Sequence, residues 1–429
     1  MSVRRSRAWW PVVAALVFIA AMTLVPARGD VWRRDFWCLR CGDSLDPVEA
    51  ALNVLLFVPL GLALRRAGVR AGPALAAVLS ATVAIEALQY FLIVGRDGSL
   101  RDCLSNTVGG LAAYAVRAEG GVAPRTFRRL AWAATAIWIA HAAAAVLLFR
   151  PDTTSYRYFG QVAPRLGQFD AFEGAVAGSM VNGVALPDGL MSPELEASVR
   201  AGGDSIRLAA LVGPAPATRR VAPILAVVDG GANEIAILAQ MGTSVVFEAR
   251  VVAHRFGLYS PAVVLPNALG AAARRPRASP IVLVGARRGP ALHAAATYAN
   301  GERASETLTL SPSLGWALWW PMVFPGATTV RWMTVAWLVL PMALIAFWSA
   351  AGRPTPGRAA DGVALRMRAS VRAMLPIVIA MLGSHLAVPF LLRAVPGGWM
   401  DWFLLAAGAA LGVAAGWLRS PAGDVTLGA

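Results

Sequence analysis

The chain contains no lysine, and charged residues of every kind are scarce. Its 429 residues include 39 basic side chains, all of them arginine, and only 15% of the residues are charged. Soluble domains carry about 25% charged residues, so this scarcity argues against a soluble protein and favours a membrane protein. The net charge of +15 is not evidence for a nucleic-acid partner, because arginine-only composition reflects GC-rich codons. We predict no binding to nucleic acid.

Cysteine is also rare. The chain contains three cysteines, which are too few for a disulfide scaffold. Two of them form a C-x-x-C motif, Cys38 and Cys41. A disulfide between them suits an oxidising exterior and is the leading interpretation. Unpaired thiols remain an alternative, and so does a metal site in which Cys103 is a third ligand. The sequence has no nucleotide-binding glycine loop and no convincing nucleophilic triad. We predict no cofactor and no bound metal.

Long apolar runs are what the chain has in abundance. Hydrophobic residues make up 57% of it, and the mean hydropathy is +0.58. A membrane-spanning helix needs roughly 20 apolar residues. This pattern predicts about eight spans, at residues 9–26, 51–64, 73–94, 103–116, 130–149, 329–350, 374–392 and 402–418. The second and fourth are short and polar, so a re-entrant segment is an alternative for either. The N-terminus resembles a signal peptide, but the many later spans favour an uncleaved first span.

The arginines orient these spans. They cluster before the first span, after the second, after the fourth, and between the sixth and seventh. All four clusters fall on one side of the membrane if eight spans alternate. The positive-inside rule makes that side cytoplasmic. The loops 33–40 and 95–102 then face outward, and we predict a multi-pass protein of the bacterial cytoplasmic (inner) membrane.

The character of the sequence changes between residues 151 and 325. Apolar runs shorten to strand length, and turn residues such as Asp229–Asn233 separate them. This segment has no run of apolar residues with helical spacing that is long enough to predict a helix. Strands are predicted at residues 205–212, 221–228, 234–239, 244–252, 280–284 and 292–299. Several short strands with turns between them predict an all-β sandwich, jelly-roll-like and extracytoplasmic.

The predicted fold is therefore a polytopic α-helical membrane protein with an inserted extracytoplasmic sandwich. Its domains are a four-span membrane domain (1–120), a fifth span (121–150), the sandwich (151–325) and a three-span C-terminal region (326–429).

Polar residues inside the N-terminal spans are the main candidate site. Glu86 and Gln89 are three residues apart, and Asp102 and Asn106 are four apart, so each pair shares one helical face. An ionisable group within a span is costly and usually functional. We predict a binding pocket near the outer leaflet, made by Asn53, Glu86, Gln89, Arg96, Asp102 and Asn106.

Arg96 would stabilise both carboxylates and could bind a phosphate in a bidentate fashion. Glu86 and Asp102 are candidates for acid/base catalysis, although nothing in the sequence shows that their pKa values differ. Whether the protein is an enzyme is left open. The alternative is a structural network in which the carboxylates and Arg96 satisfy one another.

The same residues resemble the VanZ-like family. The resemblance rests on the block 53–61, on a Glu-x-x-Gln…Arg signature at Glu86, Gln89 and Arg96, and on an Asp…Asn…Gly continuation that starts at Asp102. It covers about the first 120 residues. The family takes its name from an accessory factor in resistance to the glycopeptide teicoplanin. It therefore implies an envelope membrane protein and leaves the reaction open.

The segment 151–325 resembles concanavalin-A-like (laminin-G-like) sandwiches at residues 226–250 and 300–316. Such domains often bind carbohydrate, sometimes with calcium. Asp204, Asp229 and Glu234 are scattered and read as surface turn residues rather than calcium ligands.

Three functions remain open on this sequence. In the leading one, the protein lies in the lipid bilayer and binds or processes envelope glycan or lipid-linked headgroups. The second is a membrane hydrolase or transferase. The third is a non-catalytic anchoring or assembly protein whose sandwich binds a protein or saccharide partner.

Overall fold

The computed structural model describes residues 3–24, 47–92, 98–115, 124–155, 157–165, 169–186, 193–231, 233–270, 279–319, 326–351 and 363–418. The chain divides into two compact units. The first comprises Met1–Val122 with Phe256–Leu258, and the second comprises Ala123–Arg255 and Tyr259–Ala429.

The first unit contains four helices. They are α1 (Val3–Thr23), α2 (Pro47–Arg66), α3 (Ala71–Leu92) and α4 (Leu100–Ala115). Its apolar core is formed by residues of α1, α2 and α3, such as Ile19, Phe57 and Val78. Helix α2 is longer than the predicted second span at residues 51–64. It also includes residues 47–50 and 65–66.

The helices α2 and α4 run parallel and in close contact. Gly109 lies so near the backbone of α2 that a Cβ there would be 1.9 Å from the carbonyl oxygen of Val54. In the same way, a Cβ at Gly61 would be 2.0 Å from the carbonyl oxygen of Gly110. Small residues allow such an approach between helices in a membrane. The 16 residues of α4 therefore lie along α2, although alone they are about 24 Å long and shorter than a bilayer core.

The second unit begins with helix α5 (Pro124–Leu148) and continues into two antiparallel sheets. One sheet has the order β1-β5-β6-β7-β8 and the other β11-β10-β9-β4-β2-β3. The strands are β1 (Tyr158–Val162), β2 (Val176–Val181), β3 (Val184–Ala185), β4 (Ser205–Val212), β5 (Val221–Asp229), β6 (Glu234–Met241), β7 (Ser244–Ala249), β8 (Ala262–Leu265), β9 (Ile281–Arg288), β10 (Ala291–Thr297) and β11 (Arg303–Thr309).

The two sheets pack face to face, as the sequence predicts for a sandwich. Phe247 of β7 lies over Gly285 of β9, where a Cβ would be 2.2 Å from the phenyl ring. The turn after Asp229 closes the hairpin of β5 and β6. The backbone N–H of Asp229 donates to the carbonyl oxygen of Asn233 at 2.9 Å. Short 3-10 segments follow β7 (Val252–Phe256) and β11 (Pro312–Trp319).

The prediction that this segment has no helix is wrong. Helix α6 (Pro193–Gly202) lies between β3 and β4. Proline at its first position and Glu194 and Glu196 in its first turn favour a helix start. Its two buried apolar residues, Leu195 and Val199, are four apart, which is too short a pattern to stand out in the sequence.

The chain ends in four helical pieces: α7 (Ala327–Ala351), α8 (Val363–Leu382), α9 (Val388–Leu392) and α10 (Trp399–Leu418). A π-helical turn, Gly383–Ala387, joins α8 to α9. Gly408, Gly412 and Gly416 form a stripe on α10 that packs against the backbone and small side chains of α7. This small-residue spacing of four is typical of helix pairs in membranes.

Six helices of the described residues are long and apolar enough to cross a membrane. They are Val48–Arg66, Ala71–Leu92, Arg125–Leu148, Ala327–Ala351, Ser370–Leu392 and Trp399–Gly416. The protein is thus a multi-pass membrane protein with two antiparallel sheets. The predicted first and fourth spans correspond to shorter helical stretches, Trp9–Thr23 and α4.

Candidate functional site

Glu86 is the most deeply buried carboxylate among the described residues of the first unit, with 2% of its surface exposed. It lies on the buried face of α3, together with Thr82 and Gln89. Its Oε2 accepts a hydrogen bond of 2.9 Å from the backbone N–H of Ser99. Ser99 directly precedes α4, so the carboxyl group of Glu86 lies at the N-terminus of that helix. The dipole of α4 and the N–H of Ser99 both favour an anion at this position.

A second buried contact lies one helical turn before Glu86 on α3. The amide nitrogen of Asn106 on α4 donates to the hydroxyl of Thr82 at 2.9 Å. Asn106 is 2% exposed, and its Oδ1 has no hydrogen-bond partner within the described ranges. An acceptor with two lone pairs therefore remains available in an otherwise apolar interior.

Gln89 connects the same face of α3 to α1. Its Nε2 donates to the carbonyl oxygen of Thr23 at 3.0 Å, at the C-terminal end of α1. The last carbonyls of a helix have no partner within the helix, so a side-chain donor is the usual way to satisfy them.

Charged side chains lie at the same end of the helices. Arg101 forms an ion pair with Glu49 of α2. The Nε of Arg101 also lies 3.9 Å from Oδ1 of Asp102. Arg101 and Asp102 are mostly buried, whereas the Glu49 side chain is about half exposed. The group formed by these side chains and contacts is called the Glu86 end below, and it comprises Thr23, Glu49, Thr82, Glu86, Gln89, Ser99, Arg101, Asp102 and Asn106.

The structure brings several predicted site residues together at the Glu86 end. Glu86, Gln89 and Asn106 are buried, as their shared helical faces indicate, and Asp102 lies in the first turn of α4. Asn53 is half-buried on α2, next to the residue that Gly109 contacts. Arg96, Cys38 and Cys41 lie outside the described residues. Cys103 is free and buried on α4.

Sequence reasoning missed four contributors to this end: Thr82, Ser99, Arg101 and Glu49. Thr82 precedes Glu86 by one helical turn, and this spacing was the available signal for it. The other three residues gave no signal in the sequence. Ser99 acts through its backbone, and the pairing of Arg101 with Glu49 joins residues 52 positions apart.

The sandwich contains a separate network of charges. Asp152 is buried and accepts hydrogen bonds from Arg255, and Arg250 lies 3.6 Å away. The hydrogen bond from Arg255 is the main cause that lowers the pKa of Asp152. Burial acts to raise the pKa of Asp229, but hydrogen bonds from Arg250 and from the turn backbone lower it overall. Asp229 is therefore a turn residue, as predicted, that also pairs with Arg250 at 2.8 Å.

The described residues include no group of three or more histidine, cysteine, aspartate or glutamate side chains that could hold a metal ion. Among the described residues, the Glu86 end offers carboxylates, side-chain amides, hydroxyls and the guanidinium group of Arg101. Such groups bind polar ligands by hydrogen bonds and can transfer protons.

Comparison with known proteins gives one result. The family model described as VanZ/LLP1 matches residues 4–118. The match covers about a quarter of the chain and contains every residue of the Glu86 end, and it confirms the resemblance stated for this region. No curated protein and no solved structure matches the chain.

Proposed function

We propose that the Glu86 end is a binding site for the headgroup of an envelope glycan or a lipid-linked saccharide, in a protein of the bacterial cytoplasmic membrane. The observation that carries the proposal is the buried carboxylate of Glu86 in the same helical unit as two buried amides, Gln89 and Asn106. Burying such groups in a membrane protein is costly, and proteins that keep them usually use them.

The chemistry of the groups favours a saccharide with a phosphate. Sugar hydroxyls both donate and accept hydrogen bonds, so they pair well with carboxylates and amides. The Oδ1 of Asn106 offers an acceptor. Arg101 at the same end supplies a guanidinium group, which suits a phosphate. A phosphate can exchange with the half-exposed Glu49 as the partner of Arg101.

The match to VanZ/LLP1 supports an envelope role, because that family is linked to glycopeptide resistance. We place the Glu86 end and the sandwich on the outer side by the arginine distribution. Processing of the headgroup would use Glu86 and Asp102 as acid/base groups. Binding alone would need the same residues without turnover.

The proposal is tested with Glu86→Gln, which keeps the shape of the side chain and removes its charge. The matched control is Ser80→Ala, an exposed position on the same helix. A deletion strain is complemented with wild type or either variant, and its lipid-linked intermediates and teicoplanin susceptibility are measured. We expect Glu86→Gln to behave like the deletion and Ser80→Ala like wild type. Identical profiles in all strains at equal protein levels would contradict the proposal.

Purified full-length protein in nanodiscs separates binding from catalysis. The probe is a polyprenyl-diphosphate-linked saccharide incorporated into the same bilayer. A product that appears with wild type and is lost in both Glu86→Gln and Asp102→Asn indicates an enzyme. Saturable binding without a product indicates a binding protein.

An anchoring function is the second candidate, and one contact favours it. Arg287 of β9 is buried in the sandwich, and its Nη2 donates to the carbonyl oxygen of Phe149, just after α5, at 2.6 Å. The sandwich is thereby fixed to a membrane helix, as a domain that presents a partner to the membrane would be. Cross-linking of the full chain in cells tests this: one protein captured equally by wild type and Glu86→Gln, with no change in envelope intermediates, supports anchoring.

A further inference from the structure

Three side chains from distant parts of the second unit meet at the junction between the sandwich and the last helices. Ser313 lies in the 3-10 segment after β11, His385 in the π-helical turn, and Asp401 in the first turn of α10. The hydroxyl of Ser313 is 2.5 Å from Oδ2 of Asp401 and 3.3 Å from Nε2 of His385. Ser313 and His385 are buried.

The π-helical turn fixes the other side of the imidazole ring. Ser384 and His385 are both fully buried in it, and such turns inside α-helices often occur at functional sites. The hydroxyl of Ser384 lies 2.6 Å from the carbonyl oxygen of Ala380 and 2.7 Å from Nδ1 of His385. The indole N–H of Trp138 on α5 donates to the same hydroxyl at 3.0 Å.

These contacts assign the proton on Nδ1. The indole nitrogen can only donate, and a hydroxyl has a single hydrogen to give. The carbonyl oxygen of Ala380 is an obligatory acceptor and the nearest one, so the hydroxyl of Ser384 donates to it. Nδ1 of His385 must then carry a hydrogen and donate to Ser384.

Ser313 also has one hydrogen, and two groups lie around it. In one arrangement its hydroxyl donates to the ionised Asp401 and accepts from a protonated Nε2, so that His385 is an imidazolium. In the other, protonated Asp401 donates to Ser313, and Ser313 donates to an unprotonated Nε2. The two arrangements interconvert when the Asp401 proton moves to Ser313 as the Ser313 proton moves to Nε2, and they hold the same number of protons.

Removal of one proton breaks this arrangement. In that state the N–H of Gly398 still donates to ionised Asp401. The hydroxyl of Ser313 lies 2.5 Å from Oδ2 of Asp401 and 3.3 Å from Nε2 of His385 and donates to the closer atom, so Nε2 of the fully buried His385 is the acceptor left without a donor. A buried acceptor without a donor is unfavourable. The geometry therefore favours the state in which the pair retains one shared proton.

We propose that Ser313, His385 and Asp401 form a proton-binding site whose bound proton holds the segment Pro312–Trp319 against the last two membrane helices. The ligand is a proton, and Ser313 is the relay between the half-buried Asp401 and the buried His385. This site lies in the second unit and does not depend on the function of the Glu86 end.

The neighbouring backbone is closed over the site. A Cβ at Gly397 would lie 2.6 Å from the His385 ring and 2.7 Å from Oδ2 of Asp401. The N–H of Gly398 donates to the same Oδ2 at 3.1 Å. Among the described residues, the surrounding elements also carry His141 of α5, which faces Gly315. The other charged side chains that the structure describes on these elements are exposed arginines: Arg125, Arg128, Arg129, Arg331, Arg372 and Arg393.

The protonation state is measured on the full chain in nanodiscs at neutral pH. Infrared spectroscopy with labelled aspartate detects a protonated carboxyl group, and Asp401→Asn assigns it. Nitrogen NMR with labelled histidine reports both ring nitrogens, and His385→Gln assigns its signals among the four histidines. We expect either an imidazolium with ionised Asp401 or a neutral ring with protonated Asp401. A neutral ring together with an ionised Asp401 would overturn the proposal.

Two variants test the relay and the docking. Ser313→Thr keeps the hydroxyl and should leave the His385 signals unchanged. In Ser313→Ala, the further change Asp401→Asn should no longer shift the His385 signals, because the connection is gone. Hydrogen exchange of amides in the segment Pro312–Trp319 should rise about tenfold in Asp401→Asn and stay as in wild type in Ser313→Thr. Unchanged exchange in both Asp401→Asn and Ser313→Ala would show that the proton does not hold the segment.

Discussion

Glu248 shows at the residue scale how burial changes the charge of a single group. It lies on β7, opposite Ile237 of β6 and Ala262 of β8, so its neighbours on both strands are apolar. The pKa of Glu248 is raised to about 8 from its ordinary 4.5, mainly by burial and also by the nearby charge of Glu234. Glu248 is therefore largely protonated in the folded protein at neutral pH.

Glu248→Gln should change how stability depends on pH. Between pH 4.5 and 8 the carboxyl group is protonated when folded and ionised when unfolded, so this group's contribution is fully present at low pH and is lost as pH rises. The wild type should lose about 3 kcal/mol of stability from it between pH 5 and 8. The variant Glu248→Gln should lose no stability from this position over the same pH range. Thermal unfolding of the full chain at both pH values measures the difference, with exposed Glu306→Gln as the control; parallel profiles for wild type and Glu248→Gln would contradict this prediction.

Thr82 and Asn106 should be coupled energetically. Thr82→Val leaves the buried amide of Asn106 without its acceptor, which costs about 1–3 kcal/mol. Asn106→Leu alone removes the amide that donates to the Thr82 hydroxyl, and the double variant removes both polar groups. Its loss of stability should be smaller than the sum of the two single losses by 0.5 kcal/mol or more. A double-mutant cycle from unfolding of the full chain in detergent measures this, and strict additivity would mean that the 2.9 Å bond contributes nothing.

The faces of Glu86, Gln89 and Asn106 were predictable, because helical periodicity places residues three or four apart on one side. Their partners were not. The N–H of Ser99 and the carbonyl oxygen of Thr23 belong to the backbone, which every residue has, so no side chain signals them. The Ser313–His385–Asp401 cluster escaped prediction for a different reason, since its members are 72 and 88 residues from Ser313.

At the scale of elements, the contact between α2 and α4 is the most sensitive feature of the first unit. Gly109→Ala would put a methyl group 1.9 Å from the backbone oxygen of Val54, which cannot move without shifting α2. We expect a loss of about 3 kcal/mol or more, in the upper range for overpacking. Gly72→Ala is the matched control, because that helical glycine has open space around it and alanine is the better helix former. Melting temperatures in detergent test the pair; equal values would contradict the close approach.

Strands were predicted where apolar runs are continuous and turns are explicit. Residues 205–212, 221–228 and 234–239 coincide closely with β4, β5 and β6. Strand β9 continues to Arg288, past the predicted end at residue 284, because Gly285 makes room for Phe247 and Arg287 is buried by its bond to Phe149. Strands β1, β2, β3 and β8 were missed, whereas β11 lies within the stretch 300–316 that resembles the concanavalin-like sandwiches. β1, β3 and β8 are edge strands and β2 lies beside β3, and near the edges the alternation of buried and exposed residues is weak.

At the scale of the whole molecule, the parallel pairs α2/α4 and α7/α10 fit helices that alternate in direction across a membrane. Labelling of single cysteines tests the proposed topology. Ser305→Cys on β11 and Thr126→Cys at the start of α5 are both exposed positions, placed in a chain whose three native cysteines are replaced. An impermeant maleimide should label Ser305→Cys in intact cells and Thr126→Cys only after the membrane is opened. The reverse pattern would contradict the arginine-based orientation.

The overall organisation was accessible from composition, because spans and sandwich differ in the length of their apolar runs. The number of spans was less accessible. Helix α4 carries Asp102 and Asn106 and is 16 residues long, and its place beside α2 depends on the glycine contacts.

The sandwich enters from α5 and leaves through Pro312–Trp319 to α7, so both of its ends continue into membrane helices. A protease that cuts one surface loop of the sandwich therefore leaves both fragments attached to the cell. Domains appended to a single membrane helix are shed by one cut, whereas shedding of this one requires two.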